Sequence, residues 1–187
     1  MHDIAPYDRW QHLYDSEEDE WSPFFNQQHS EFEFQNTVYN YYIHPQWDDF
    51  GSRTLYLKVL FVDYDQNYAI IELIGEWNDA VENDVMQLKR TVIDHMIQRG
   101  IFKFILIVEN VLNFHSSDDS YYEEWIEDIQ DHGGWIVLLN LPEHAMQEVR
   151  QAHLYRYIFT LPYASWRATQ PQFLFQVVDN KLLHLLS

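Results

Sequence analysis

The feature that most constrains the fold of this chain is a strand pattern at residues 70–79 that is followed directly by a long amphipathic helix pattern. A second unit follows, with an apolar run at 102–108, a polar loop at 114–120 and another helix pattern. A third apolar run, at 135–139, precedes a helix that starts near Pro142. Strands that alternate with helices at this spacing predict an α/β domain with a mixed, mainly parallel sheet and helices packed on it, mostly on one face.

Turn and cap signals mark the borders of these elements. We expect the first helix to begin at Asp79, where Glu82 completes a capping box, and Gly100 supplies the residue that ends it. Ser120 and Glu123 repeat the capping-box spacing in the next helix. The apolar stripe of the first helix consists of Val81, Val85, Leu88, Val92 and Met96. Further strands are predicted at 38–43, 54–64, 68–75, 157–161 and 173–178.

Length and composition suit one domain with extensions. The chain has 187 residues, of which 47% are hydrophobic, and this is enough for a substantial core. We expect residues 1–55 to form an acidic, aromatic extension that packs on the domain as a partly ordered arm. Residues 56–187 then form the α/β domain with a C-terminal extension, whose apolar end packs on the core or on a second subunit.

Charge and cysteine content exclude several classes of function. The chain has 30 acidic and 11 basic residues, a net charge of −19, and such a surface repels nucleic-acid phosphates and anionic lipid. Because there is no cysteine, disulfides, thiolate metal sites and cysteine nucleophiles are excluded. The first residues show no signal-peptide pattern and no apolar run is long enough to span a membrane. We therefore expect a cytoplasmic protein, and a basic partner protein or plain solubility explains the charge.

Two motifs follow the predicted strands at fixed positions. The first consists of Gly75, Glu76, Trp77 and Asn78 at a strand-end turn, and the second of Phe114, His115, Ser116, Ser117, Asp118 and Asp119 before a helix. With the pair Gly133-Gly134 after that helix, they resemble the anti-sigma-factor antagonist family, the STAS domain, over about residues 58–160. The resemblance implies a STAS-like fold, no enzymatic activity, no cofactor and a regulatory protein as partner.

The resemblance also implies a role for Ser117, since the family is phosphorylated at this position and then releases its partner. A phosphoryl group at a helix N-terminus meets free backbone N–H groups. The chain departs from the family pattern, because Ser116 replaces an aspartate and Asp118-Asp119 replaces Ser-Gly. Three interpretations stay open: helix capping alone, a phosphorylation switch at Ser117 (or a permanent imitation of one by the two aspartates), and a partner-binding loop. That loop consists of Phe114, His115, Ser116, Ser117, Asp118, Asp119 and Ser120.

The leading functional hypothesis is thus a non-enzymatic, regulatory protein-interaction module that binds through this loop, with homodimerisation as a further expectation. A second hypothesis is a small-molecule or lipid-binding protein with an apolar pocket between the sheet and the N-terminal extension. A third is an acid–base enzyme that uses Glu76 or Asp118. An enzyme of this kind requires a carboxylate with a strongly raised pKa in a cleft.

Several other histidine, glutamate and aromatic residues are interpreted as structural. Two local groups could supply metal ligands: His44 with Asp48 and Asp49, and His115 with Asp118 and Asp119. We interpret both as solvated residues of turns and expect no metal site. His153 lies on an apolar helix pattern and is interpreted as a hydrogen-bonded core residue. Solvated strand ends are expected for Glu72, Glu76 and Glu109. Core packing, with a ligand groove or interface as the alternative, is expected for Trp47, Tyr121, Tyr122 and Trp166.

Overall fold

The computed structural model describes residues 2–30, 32–33 and 36–187. Its strands are β1 His2–Ile4, β2 Thr37–Val38, β3 Tyr41–Ile43, β4 Leu55–Asp63, β5 Tyr68–Asn78, β6 Lys103–His115, β7 Trp135–Leu139 and β8 Phe159–Leu161. Its α-helices are α1 Asp84–Leu88, α2 Asp94–Gln98, α3 Ser120–Gln130, α4 Glu143–Gln151 and α5 Pro171–Leu186, and a π-helical segment, Lys89–Ile93, joins α1 to α2. Short 3-10 turns occupy Leu154–Arg156 and Trp166–Ala168.

The main sheet has five strands in the order β4-β5-β6-β7-β8. The β4–β5 pair is an antiparallel hairpin, whereas β5, β6, β7 and β8 run parallel to one another. In the hairpin turn the Asp63 carboxylate accepts the backbone N–H groups of Asp65 and Gln66, and Asn67 adopts a φ of 61°. The predicted mixed, mainly parallel sheet is confirmed.

Both faces of the sheet are covered. Successive strand residues point to opposite faces, so on β5 Ile71 and Leu73 lie in the core beneath α1–α4, while Tyr68 and Ile70 lie in a second core on the other face. The second core is closed by α5 and by the N-terminal arm, which we define as residues 2–30. The arm contributes the buried Trp10 to it. The division of the chain after residue 55 stays a prediction.

Helix α5 contradicts the predicted strand at 173–178. It packs on the second face of the sheet, whereas α1–α4 lie on the first, so the helices are mostly on one face as predicted. Pro171 stands at the first helical position, where its fixed φ is favourable. The ring of Phe175 stacks on that of Tyr68 at 3.9 Å between centroids. The buried residues Leu174, Phe175, Val178 and Leu182 recur at steps of one, three and four. A short apolar run fits a buried strand as well as a buried helix, and only the longer spacing separates the two.

Residues 38–43, predicted as one strand, form a tight hairpin instead. β2 and β3 pair antiparallel, β1 adds parallel to β3, and Tyr39 at the turn has a φ of 54°. This small sheet packs through Val38 and Ile43 on Tyr56 and Ile74 of the main sheet. The turn has no glycine or proline, so the sequence gives little sign of it.

The first helix begins later than predicted. β5 extends through Asn78, and α1 starts at Asp84. Val81 therefore lies in the connection and is 77% exposed, whereas the other members of the predicted stripe are buried: Val85, Leu88, Val92 and Met96. The chain ends this helical stretch at Gly100, whose φ of +86° confirms the predicted stop.

Candidate functional site

The carboxyl ends of β5 and β6 form a platform that carries the predicted loop. Trp77 of β5 and Phe114 of β6 are register partners and both are buried, with ring centroids 5.5 Å apart. His115 is the register partner of Asn78 and reaches diagonally to Glu76, with Nε2 2.8 Å from Oε1. The two strand ends are therefore held together immediately below the loop.

The loop between this platform and α3 exposes Ser117, whose hydroxyl forms no hydrogen bond with any described residue. Asp118 Oδ1 accepts the backbone N–H of Ser120 at 3.1 Å and also its hydroxyl, and these bonds lower the pKa of Asp118. Asp119 Oδ2 accepts the Tyr157 hydroxyl at 2.8 Å. His115, paired with Glu76, holds the β6 end of the loop and Asp118 and Asp119 hold the α3 end, while Ser117 between them is open to solvent.

The predicted capping boxes are not formed. Asp119, and not Ser120, is the N-cap residue of α3, and its side chain makes no cap bond. Asp118 satisfies one of the free N–H groups of the first turn instead. In the first predicted box, Glu82 pairs with Arg53, with Oε1 2.9 Å from the guanidinium. Asp79 lies before α1 and still binds the helix start, at the N–H of Val85.

Asp79 lies at the centre of a buried polar group beneath the platform. It accepts the indole N–H of Trp77 and the N–H of Val85, each at 2.9 Å, and the hydroxyl of Tyr122 from α3. Burial raises the pKa of Asp79 to about 6, although these three donors oppose the shift. The group ties β5, α1 and α3 together, so the start of α3 is fixed relative to the platform.

Tyr122→Phe is expected to destabilise the protein by about 2 kcal/mol at about pH 8, because it removes a donor from a buried, ionised carboxylate. The same change is expected to raise the pKa of Asp79 further. Urea unfolding at about pH 8 and about pH 5 checks this, since the loss shrinks where Asp79 is protonated. Tyr121→Phe is the matched control, because Tyr121 is only half-buried and its ring faces the Arg90 guanidinium. Equal losses in both variants would contradict the role of Tyr122.

The small N-terminal sheet reaches the same edge through Tyr39. The Tyr39 hydroxyl donates to Glu76 Oε2 at 3.0 Å and accepts a bond from Asn113 Nδ2. Asn78 Nδ2 lies 3.4 Å from Glu76 Oε1. Glu76, one of the predicted turn residues, is therefore held by several neighbours and is not a freely solvated strand end.

The prediction of a solvated strand end is also wrong for Glu72. Its side chain is buried, Oε2 accepts the backbone N–H of Tyr7 at 2.8 Å, and Oε1 lies 3.7 Å from the Arg167 guanidinium. Arg167 also pairs with Glu109, which accepts the indole N–H of Trp166 at 3.2 Å. Burial raises the pKa of Glu72 to about 7. These contacts join the arm and the segment before α5 across the second face of the sheet.

Core packing, the interpretation preferred for four aromatic residues, is confirmed for three of them. Trp47, Tyr122 and Trp166 are buried, and Tyr121 is half-buried. The histidine predicted for the core, His153, is exposed and has a φ of 57°. It follows the end of α4, where a left-handed residue breaks the helical spacing on which that prediction depended.

A cavity of about 420 Å³ separates the arm from β4. Pro6 and Tyr7 of the arm, and Val59 and Leu60 of β4, line one part of it. The polar and charged part of its wall consists of Asp8, Gln11, Asp15, Ser16, His44, Gln46 and Lys58. A pocket is thus present between the sheet and the N-terminal extension, but its wall is mixed and not apolar as predicted.

Within the described ranges, no three histidine, aspartate or glutamate residues are grouped so that they could hold a metal ion. In the same part of the chain, no helix combines the length and apolar character needed to cross a membrane.

Comparisons with known proteins find likeness only among solved structures, since no family model and no curated protein matches the chain. The unphosphorylated anti-sigma factor antagonist SpoIIAA is 16% identical with a TM-score of 0.48, over 66% of this chain and 96% of that one. Phosphorylated SpoIIAA, a Bacillus cell fate determinant, is 16% identical with a TM-score of 0.43, over 65% and 98%. A proposed anti-sigma factor antagonist of Thermotoga maritima is 22% identical with a TM-score of 0.43, over 58% and 86%.

The resemblance to anti-sigma-factor antagonists that the sequence motifs indicated is therefore found again among solved structures. It concerns the arrangement of strands and helices, and it transfers no function to this chain.

Proposed function

We propose that the protein is a non-enzymatic, regulatory interaction module that binds a partner protein through the loop Phe114–Ser120 and the start of α3. The observation that carries this proposal is the exposed Ser117 on a loop anchored at both ends. A pre-formed loop loses little conformational freedom when a partner binds, which favours affinity. The rigid strand ends below it, joined by Trp77 and Phe114, supply the support that a recognition surface needs.

Charge indicates the kind of partner. Asp118 is exposed and ionised, with its pKa held below the ordinary value by Ser120, and Glu123 is exposed on the first turn of α3. The chain as a whole carries a net charge of −19. A basic surface complements this edge and associates with it faster at low ionic strength.

Phosphorylation of Ser117 belongs to the same proposal as its regulatory step. The hydroxyl is accessible, and a phosphoryl group there adds close to two negative charges beside Asp118 and Asp119. Because a basic partner is attracted by negative charge, the charge of the phosphoryl group would not release such a partner, and release would come from the bulk of the group on the binding surface. Homodimerisation and a cytoplasmic location stay predictions.

An affinity capture from lysate of the source organism tests the interaction. The variant with Ser117, Asp118 and Asp119 all changed to alanine is expected to lose a partner that the wild type retains. The matched control changes Glu127, Gln130 and Asp131 to alanine, since these are exposed at the far end of α3 and also remove two carboxylates. Retention of the same partners by all three proteins would rule out the loop as the binding surface.

A second candidate function is ligand binding in the cavity between the arm and β4, and its volume favours this, because ligand pockets in proteins span about 300–1,000 Å³. Native mass spectrometry of freshly purified protein tests it. A retained mass that disappears on unfolding supports a resident ligand, whereas the mass of the bare chain alone would contradict tight binding.

A further inference from the structure

We propose that the cavity between the arm and β4 binds a small organic cation, an amine with an apolar body. This deepens the second candidate function and does not depend on the loop at Ser117. The amine group is placed among carboxylates of the arm, and the body lies along the apolar side chains of β4.

The charge of the wall favours a cation. Asp8 and Asp15 line the cavity. Lys58 lines it too, but its Nζ lies 3.3 Å from Glu17 Oε1 and 3.8 Å from Asp48 Oδ1, so its charge is compensated by two acidic neighbours. The surroundings are therefore net negative, and an anion entering the cavity meets no uncompensated lysine.

Asp15 is held in place and still has acceptor capacity. Its Oδ1 accepts the N–H of Glu17 at 3.0 Å, and its Oδ2 accepts the side-chain amide of Gln11 at 3.1 Å. A carboxylate has about four acceptor positions, so an ammonium group finds further ones on both oxygens. Such charge-assisted bonds are the strong ones in proteins.

The remaining wall suits an apolar body with one further polar contact. The tyrosine hydroxyls are used elsewhere, Tyr7 on the carbonyl of Arg167 at 2.5 Å and Tyr14 on Asp19 at 2.7 Å, so both residues offer mainly ring carbons to the cavity. Aromatic rings also attract cations. Ser16 lines the cavity as well, is buried, and its Oγ has no hydrogen-bond partner among the described residues. A donor on the ligand would satisfy that oxygen.

Three molecules of similar shape and different charge test the proposal: tyramine, the neutral para-propylphenol and the anionic para-hydroxyphenylacetate. Isothermal titration calorimetry of the full chain at low ionic strength is expected to show that tyramine binds about tenfold more tightly than the neutral compound, with the anion weakest. Equal affinity for all three, tighter binding of the anion, or no binding of tyramine would each overturn the proposal.

Variants locate the site. Asp8→Asn changes an exposed residue and is expected to keep the fold, so it is the decisive variant, and Asp15→Asn supports it where circular dichroism shows native structure. Each is expected to weaken tyramine binding about fivefold or more, while leaving the neutral compound unchanged. Asp65→Asn, in the β4–β5 turn, is the matched control and retains full affinity. Unchanged tyramine binding by Asp8→Asn would overturn the assignment to this cavity, and a failure here leaves the loop proposal untouched.

Discussion

Gly75→Ala is expected to lower the free energy of unfolding by about 4 kcal/mol, because alanine there is strained and has no room. Gly75 has a φ of +115°, which side chains rarely adopt, and a Cβ would lie 2.2 Å from the backbone oxygen of Thr54. That oxygen also accepts the N–H of Glu76 at 2.9 Å, so it is not free to move away. The register of β5 against β6 shifts at this point, and glycine makes the irregularity possible.

The variant Gly133→Ala separates the free-energy cost of a strained backbone from the cost of steric crowding by a Cβ. Gly133 also has a positive φ, +69°, but a Cβ there would meet nothing within 4 Å. Its expected cost is about 1 kcal/mol, from backbone conformation alone. Urea unfolding followed by far-UV circular dichroism measures both variants. If the two losses were equal, the close approach of Thr54 to Gly75 would not be what requires glycine in β5.

The mixed, mainly parallel character of the main sheet was accessible from sequence because its strands carry local signals. β7 matches the predicted apolar run at 135–139, and β6 begins at Lys103 within the run at 102–108, as expected of strands covered on both faces. Where local signals were ambiguous, tertiary packing decided. Residues 173–178 became helical because Tyr68 and Trp135 offer a surface on which Phe175 stacks.

The site was only partly predictable, since its buried carboxylates depend on distant residues. The loop at Ser117 follows a strand and is visible in the sequence. The strand-end turn predicted at Gly75, Glu76 and Asn78 is wrong, since β5 runs on through Asn78. The burial of Glu72 depends on Tyr7, 65 residues earlier, and on Arg167, and no local pattern connects them. One signal was available: Glu72 stands between Ile71 and Leu73 in the middle of an apolar strand, where a charged residue needs a buried partner.

Glu72→Gln is expected to stabilise the protein by about 3 kcal/mol at about pH 8.5, because the wild-type carboxylate must be ionised there in a buried place. A pKa of about 7 in the folded state, against 4.5 for the free group, corresponds to this free energy. Because the folded pKa is the higher one, the contribution of Glu72 to stability is complete below about pH 4.5 and is lost as the pH rises through about 7. Glutamine keeps the oxygen that accepts the N–H of Tyr7 and carries no charge.

The pH profile of the difference is the decisive measurement. Urea unfolding of wild type and Glu72→Gln is expected to give equal stabilities near pH 4.5, a difference that grows up to about pH 7, and a constant difference above it. Glu127→Gln, at an exposed position of α3, is the matched control and should show no such rise. Glu109→Gln removes the like charge beside Glu72 and is expected to lower the folded-state pKa of Glu72, so that the rise ends at a lower pH and reaches a smaller difference. A Glu72→Gln difference independent of pH would mean that the pKa of Glu72 is the same in the folded and unfolded chain, so that Arg167 and the N–H of Tyr7 together balance burial.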